Sequence, residues 1–144
     1  MSITAKTEKI VQDFKKFETW EGKYEHLISL GKKWSGLKPE DQKEDLKVKG
    51  CQSQVWIKSS LSDGKVFFEG TSDAILVKGL VALVLSIYSG EAPSDILKFE
   101  PLFLKEIGLD SGLSPSRSNG LFSMIKQVKY YAAAYEFMLS QQKK

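Results

Sequence analysis

The sequence predicts an α+β domain in which an antiparallel β-hairpin packs against several helices. Residues 54–61 and 66–70 alternate apolar and polar side chains around Asp63-Gly64, a dipeptide suited to a two-residue type I′ turn. The flanking segments instead repeat their apolar residues every three or four positions, the period of amphipathic helices. A chain of 144 residues, 42% hydrophobic and 27% charged, suits one core, and residues 1–144 show no internal repeat, second domain or low-complexity segment.

Ile10, Val11, Phe14 and Phe17 predict a helix over residues 4–17, and Tyr24, Leu27 and Ile28 a second over 21–33. Between Lys33 and Lys47, Gly, Pro and charges without a period predict a solvated connector. A turn at Asp63-Gly64 pairs Leu61 with Val66, Ser59 with Phe68 and Ile57 with Gly70. That register gathers Val55, Ile57, Leu61, Val66 and Phe68 on one core face and sets Lys58 opposite Glu69 as an attractive pair. Thr71 or Ser72 caps the next expected helix, Asp73 to Tyr88, which ends at Gly90; Ser94 and Pro101 mark shorter helices. In the last helix Ser114 is the expected cap and Pro115 the first position, with an apolar stripe from Leu121 through Met124, Ile125, Val128, Ala132 and Tyr135 to Leu139.

Composition narrows the function. The 21 basic and 18 acidic side chains are interleaved and the net charge is only +3, which argues against a nucleic-acid partner. One cysteine and one histidine exclude an internal disulfide, a four-ligand zinc site of Cys and His, and a cysteine-bound iron-sulfur cluster. The first 17 residues lack the apolar region of a secretory signal, so the chain reads as cytoplasmic. The apolar run from Ala74 to Tyr88 is shorter than the roughly 20 residues that span a bilayer and contains Lys78, so it reads as a buried helix and not a membrane span.

The single cysteine, Cys51, follows Gly50 at the mouth of the first strand. Carrying the hairpin register backwards sets Gln54 opposite Asp73, so Cys51 and the start of the Asp73 helix share one end of the sheet. A helix N-terminus together with Lys47 and Lys49 is expected to lower the thiol pKa, and Gly50 leaves room beside the sulfur for another protein. The alternative is a small buried apolar residue, as free cysteines often are. His26, the only histidine, sits in an amphipathic helix where a structural role outweighs that of base to a Cys51 hydrolase; chemistry needing only a thiolate, such as sulfur exchange, fits better. The only arginine, Arg117, stands among 20 lysines, which singles out a position that needs a planar, multi-donor group; the rival reading is simple capping and turn chemistry around Ser114, Ser116 and Asn119-Gly120.

The blocks "GCQSQVW", "SDAILVKGL" and "LSPSRSNGL", in that order and joined by "YEHLISLGKKW" in the second helix, resemble the SufE family of sulfur-acceptor proteins from about residue 10 to residue 135. The resemblance implies a single domain with an IscU/SufE-like fold and a role in iron-sulfur cluster assembly. It implies that Cys51 accepts persulfide sulfur from a SufS-type cysteine desulfurase; Gly50, Gln52, Asp73 and Arg117 are the expected supporting or partner-docking residues. The acceptor itself holds no cofactor or metal; pyridoxal phosphate belongs to the desulfurase. The resemblance further implies stimulation of that enzyme and delivery to a SufB/SufC/SufD-type scaffold complex; homodimers are common among such proteins. The related CsdE branch, which serves another desulfurase, carries nearly the same motifs. Trp34-Ser35-Gly36 stands where members of the family often have a Leu-Pro pair.

Overall fold

In a computed structural model, which describes residues 2–142, the most apolar stretch of the sequence becomes the axis of the molecule. The elements run α1 (Ile3–Phe14), α2 (Trp20–Lys33), β1 (Val55–Ser62), β2 (Lys65–Ser72), α3 (Ile75–Tyr88), α4 (Pro93–Lys98), α5 (Phe103–Glu106) and α6 (Pro115–Gln142). Helix α3 is buried continuously from Gly79 to Leu85, as a helix apolar on all sides requires. It touches α1, α2, α6 and both strands. This is the expected α+β arrangement, with a single core shared by hairpin and helices.

Two glycines set the α2–α3 contact. A Cβ on Gly31 would lie 2.9 Å from the Gly79 amide nitrogen, and one on Gly79 would collide with the Leu27 carbonyl. The two backbones therefore touch directly, and Leu27 is driven to full burial. At the C-terminal end of α3, Lys6 from α1 donates to the carbonyls of Ile87 (3.2 Å) and Ser89 (3.0 Å) and pairs with Glu91 at 2.8 Å. One ammonium thus satisfies carbonyls that the helix itself leaves unpaired.

The hairpin has the expected register, including Leu61 opposite Val66, Ser59 opposite Phe68 and Ile57 opposite Gly70. Asp63 (φ 52°) and Gly64 (φ 75°) both have the positive φ that a type I′ turn demands. Val55, Ile57, Val66 and Phe68 are buried on the core face, with Leu61 half-buried near the tip. Lys58 is indeed opposite Glu69, but its ion pair goes to Asp41 at 3.2 Å. The connector after α2 brings that carboxylate over the sheet, so the expected Lys58–Glu69 pair does not form.

That connector differs from the solvated link expected. Two short 3₁₀ turns, Pro39–Asp41 and Glu44–Leu46, organise it, while Leu37 and Val48 are buried. Trp34 holds its start by donating from Nε1 to the Gly70 carbonyl at 3.2 Å, and Val48 N donates to Val55 O at 2.8 Å at its end.

Helix α3 begins at Ile75, two residues later than expected, because β2 continues to Ser72. Neither Thr71 nor Ser72 is its N-cap; that position is Ala74, whose amide reaches Ser72 Oγ at 3.2 Å. Pro115 opens α6, and Leu121, Met124, Ile125, Val128 and Ala132 are buried as the stripe predicts. Farther along, Tyr131 donates to the Ile57 carbonyl at 3.2 Å and Tyr135 lies 3.0 Å from Ser59 Oγ, fastening α6 to β1. Asn119 and Gly120 fall inside this helix and not in a turn.

Because the clash at Gly79 is with backbone, which cannot swing aside, Gly79→Ala is expected to destabilise the protein by about 3 kcal/mol, seen as a thermal midpoint lower by roughly 10 °C. A variant whose denaturant midpoint matches the parent would contradict the direct α2–α3 backbone contact.

Candidate functional site

The loop between Val48 and Val55 is held at its base and latched on one side. Val48 N donates to Val55 O at its foot. At the latch, Gln54 N donates to Asp73 Oδ1 at 3.0 Å, Asp73 N to Gln54 O at 3.2 Å, and Ser72 Oγ to Gln54 O at 2.8 Å. The sequence placed Gln54 opposite Asp73 by extending the ladder, and these bonds realise that pairing. Asp73 lies on the short link before α3 and contributes an acceptor to the loop, so its role is not that of a first-turn residue of the helix.

At Gly50 the loop turns with φ 91°, and a Cβ there would lie 2.6 Å from Ser123 Oγ. The positive φ favours glycine at this position. On the side facing α6, Gly50 packs against Ser123 of the same chain, while the residue itself stays exposed.

The turn at Gly50 directs Cys51 inward. Its Sγ donates to the Gly120 carbonyl at 3.6 Å, and a Cβ on Gly120 would lie 3.5 Å from the sulfur. Cys51 opens on a cavity of about 240 Å³. Val77 and Leu80 of α3 and Met124 of α6 form its apolar wall, and Gln52, Ser116 and Arg117 its polar side. This apolar wall belongs to two helices, α3 and α6.

The thiol is not acidified. Burial pushes the Cys51 pKa up, because a thiolate in this half-buried position loses hydration. The expected lowering by Lys47, Lys49 and a helix terminus fails for three visible reasons. Lys47 pairs with Glu44 at 3.0 Å. Lys49 is exposed to solvent. Helix α3 begins at Ile75, two residues beyond Asp73, and lines the cavity with the apolar residues Val77 and Leu80. In this resting arrangement Cys51 is a protonated, sheltered thiol.

Of the other residues singled out by sequence, Arg117 lines the same cavity although 66 positions separate it from Cys51 in the chain, and Gln52 lines it from the loop. His26 does not belong to that lining. It lies edge-on to Phe14 (4.9 Å between ring centroids) and stacks on Phe17 (5.0 Å), where burial lowers its pKa. Gly120, Ser123, Val77, Leu80 and Met124 also surround the thiol or its loop, though little in the sequence marks them as site residues. The only local signal was Gly120 within an apolar stripe, where a glycine implies close approach of another group. Among the described residues no group of three His, Cys, Asp or Glu side chains is placed to hold a metal ion, and no helix is long and apolar enough to cross a membrane.

The family model of SufE, described as an Fe-S metabolism associated domain, matches residues 8–132. An uncharacterized SufE-like protein of Synechocystis sp. is 41% identical over 128 residues, covering 89% of this chain and 80% of the relative. The solution structure of a hypothetical protein from Thermus thermophilus superposes with a TM-score of 0.74, covering 92% of this chain and 96% of that one at 22% identity, and so shares the fold. A family match across most of the length, with a relative of this identity, assigns the protein: the chain belongs to the SufE family, whose domain is associated with iron-sulfur metabolism.

Proposed function

We propose that this protein is a cytoplasmic sulfur acceptor and carrier for iron-sulfur cluster assembly, with Cys51 as the carrying atom. The observation that supports this most is the placement of the only thiol on a loop latched by a few hydrogen bonds, over a cavity with one apolar wall, a polar side and room for an added sulfur atom. The donor is a pyridoxal-phosphate-dependent cysteine desulfurase of the SufS type, and the receiver a scaffold complex of the SufB/SufC/SufD type.

The chemistry is thiol–persulfide exchange. Cys51 Sγ, as thiolate, attacks the outer sulfur of the donor's persulfide. A new S–S bond forms at Cys51 while the donor's own S–S bond breaks, and the donor departs as a thiolate that takes up the proton Cys51 has shed. No external oxidant or reductant is needed. Since the resting thiol is protonated, docking has to move the loop far enough to hydrate Cys51, and return of the loop then encloses the persulfide between Val77, Leu80 and Met124. Arg117 at the cavity's polar side supplies fixed donors for the persulfide or for partner carbonyls. Hydrolysis by a Cys51–His26 pair lacks support, because His26 is engaged between two phenylalanines of the α1 end. A CsdE-type acceptor would use the same chemistry with a different donor.

Replacement of the sulfur tests the assignment. Cys51→Ser is expected to fold, to bind the desulfurase with near-parent affinity and to gain no mass, whereas the parent gains about 32 Da per sulfur on incubation with desulfurase and cysteine. A serine variant that accelerates the desulfurase as the parent does would rule out a carrier.

The pH dependence follows from burial. Alkylation of Cys51 by iodoacetamide in the isolated protein is expected to rise with pH and to level off at an apparent pKa above that of an unstructured cysteine, because the buried thiolate is disfavoured. An apparent pKa at or below the unstructured value would contradict a sheltered thiol.

The latch makes a separate prediction. Asp73→Ala removes the acceptor for Gln54 N and is expected to speed amide exchange across residues 49–54 by about fivefold, corresponding to about 1 kcal/mol for one hydrogen bond. Unchanged exchange in those residues, measured by mass spectrometry on the intact fold, would show that Asp73 does not hold the loop.

A further inference from the structure

Behind the Cys51 loop lies a second depression, of about 550 Å³, for which sulfur exchange itself has no use. Its lining includes Lys47, Lys49 and Gly50 from the loop and its approach, and Ser123, Lys126 and Tyr130 from α6. Three lysines face one acid, Asp45, whereas charges elsewhere in the chain are mixed. Lys47 is partly neutralised by Glu44 at 3.0 Å, but neither Lys49 nor Lys126 makes an ion pair among the described residues, and both are exposed. Tyr130 is 69% exposed, an aromatic ring left against solvent beside these charges.

We propose that this groove docks an acidic segment of the protein that delivers sulfur to Cys51. The inference rests on the sulfur-acceptor reading and names the surface and partner chemistry that reading leaves open. Lysine ammoniums are compact point charges suited to separate carboxylates, and an exposed tyrosine beside them offers the amphipathic contact that protein interfaces favour. The loop supplies the link to function. Gly50 lines this groove while its neighbour Cys51 lines the sulfur cavity, so the backbone between the two sites is a single peptide link. A donor whose persulfide reaches Cys51 must cover the surface next to it, and a segment seated against Gly50 would bear on the contact with Ser123 that keeps the loop turned inward. Opposite charge across this contact would speed encounter and make it sensitive to salt.

The test is sulfur loading of Cys51 by intact-mass analysis, with the partner desulfurase and, in parallel, with inorganic polysulfide, for the parent and for Lys49→Glu/Lys126→Glu. The double variant is expected to need about tenfold more desulfurase for half-maximal loading at low salt, with polysulfide loading within about twofold of the parent. Raising the salt should bring the parent's requirement up toward that of the variant. Equal loading of parent and variant by desulfurase would overturn the groove while leaving Cys51 as acceptor. So would a loss of polysulfide loading in step with desulfurase loading, since the lysines would then act on the thiol itself. If an oligonucleotide binds the parent and not the variant while desulfurase loading is unaffected, the groove serves another polyanion. A parent that takes no sulfur from the desulfurase would remove the acceptor reading, and this inference with it.

Discussion

The direct backbone contact between α2 and α3 is the constraint on which the rest of the structure depends. With Gly31 and Gly79 facing each other, no side chain stands between the helices, and Leu27 enters the core beside the axis. Helix α3 then has its remaining sides free for the hairpin and for α6. On the hairpin side the same logic recurs at Gly70, where a Cβ would lie 2.8 Å from Leu85 Cδ1 and from the Trp56 carbonyl. The sulfur cavity is the gap left where the early turns of α3 and α6 meet, closed by the Cys51 loop. Its shape is therefore inherited from the core packing.

The site resolves two demands that oppose each other. A persulfide in transit needs shelter from stray thiols, which favours an apolar wall, yet burial disfavours the thiolate that accepts the sulfur. A rigid loop would meet the first demand and fail the second. The loop is instead held by the hydrogen bonds at Gln54, by the weak thiol–carbonyl contact to Gly120 and by the packing of Gly50 on Ser123. Hydrogen bonds of this kind contribute about 1 kcal/mol each, small beside the binding free energy of a protein partner. Docking is thus energetically able to open what the isolated fold keeps closed.

Local pattern made much of the fold legible, and for identifiable reasons. Asp63-Gly64 admits one turn geometry, strict alternation admits one face, and together they determine every pairing from Val55 to Ser72, including the ladder's reach toward Asp73. What stayed hidden depended on contacts between distant segments. The connector looked solvated because its anchors are single residues, Trp34, Leu37 and Val48, without a period. The ion pair of Lys58 went to Asp41, a residue of that connector. The thiol's environment was misjudged for the same reason: Lys47 and Lys49 are near in sequence, while the apolar residues that govern Cys51 come from α3 and α6. The position of the lone arginine also depended on distant segments: only the packing of α6 brings Arg117 to the same cavity as Cys51. The family resemblance linked them in advance because whole blocks of sequence carry such tertiary information and residue spacing does not.

The central claim is that sulfur passes through Cys51 as an obligatory intermediate, and a pulse–chase experiment tests it most directly. The parent protein, its desulfurase and a sulfur-consuming scaffold are given cysteine labelled with heavy sulfur, then unlabelled cysteine, and the isotope on the Cys51 peptide is followed by mass spectrometry alongside the product. The account predicts that label appears on Cys51 before it appears in product and leaves at the rate at which product forms. Label that reaches product at full rate while Cys51 stays unlabelled, or that stays on Cys51 through the chase, would contradict it.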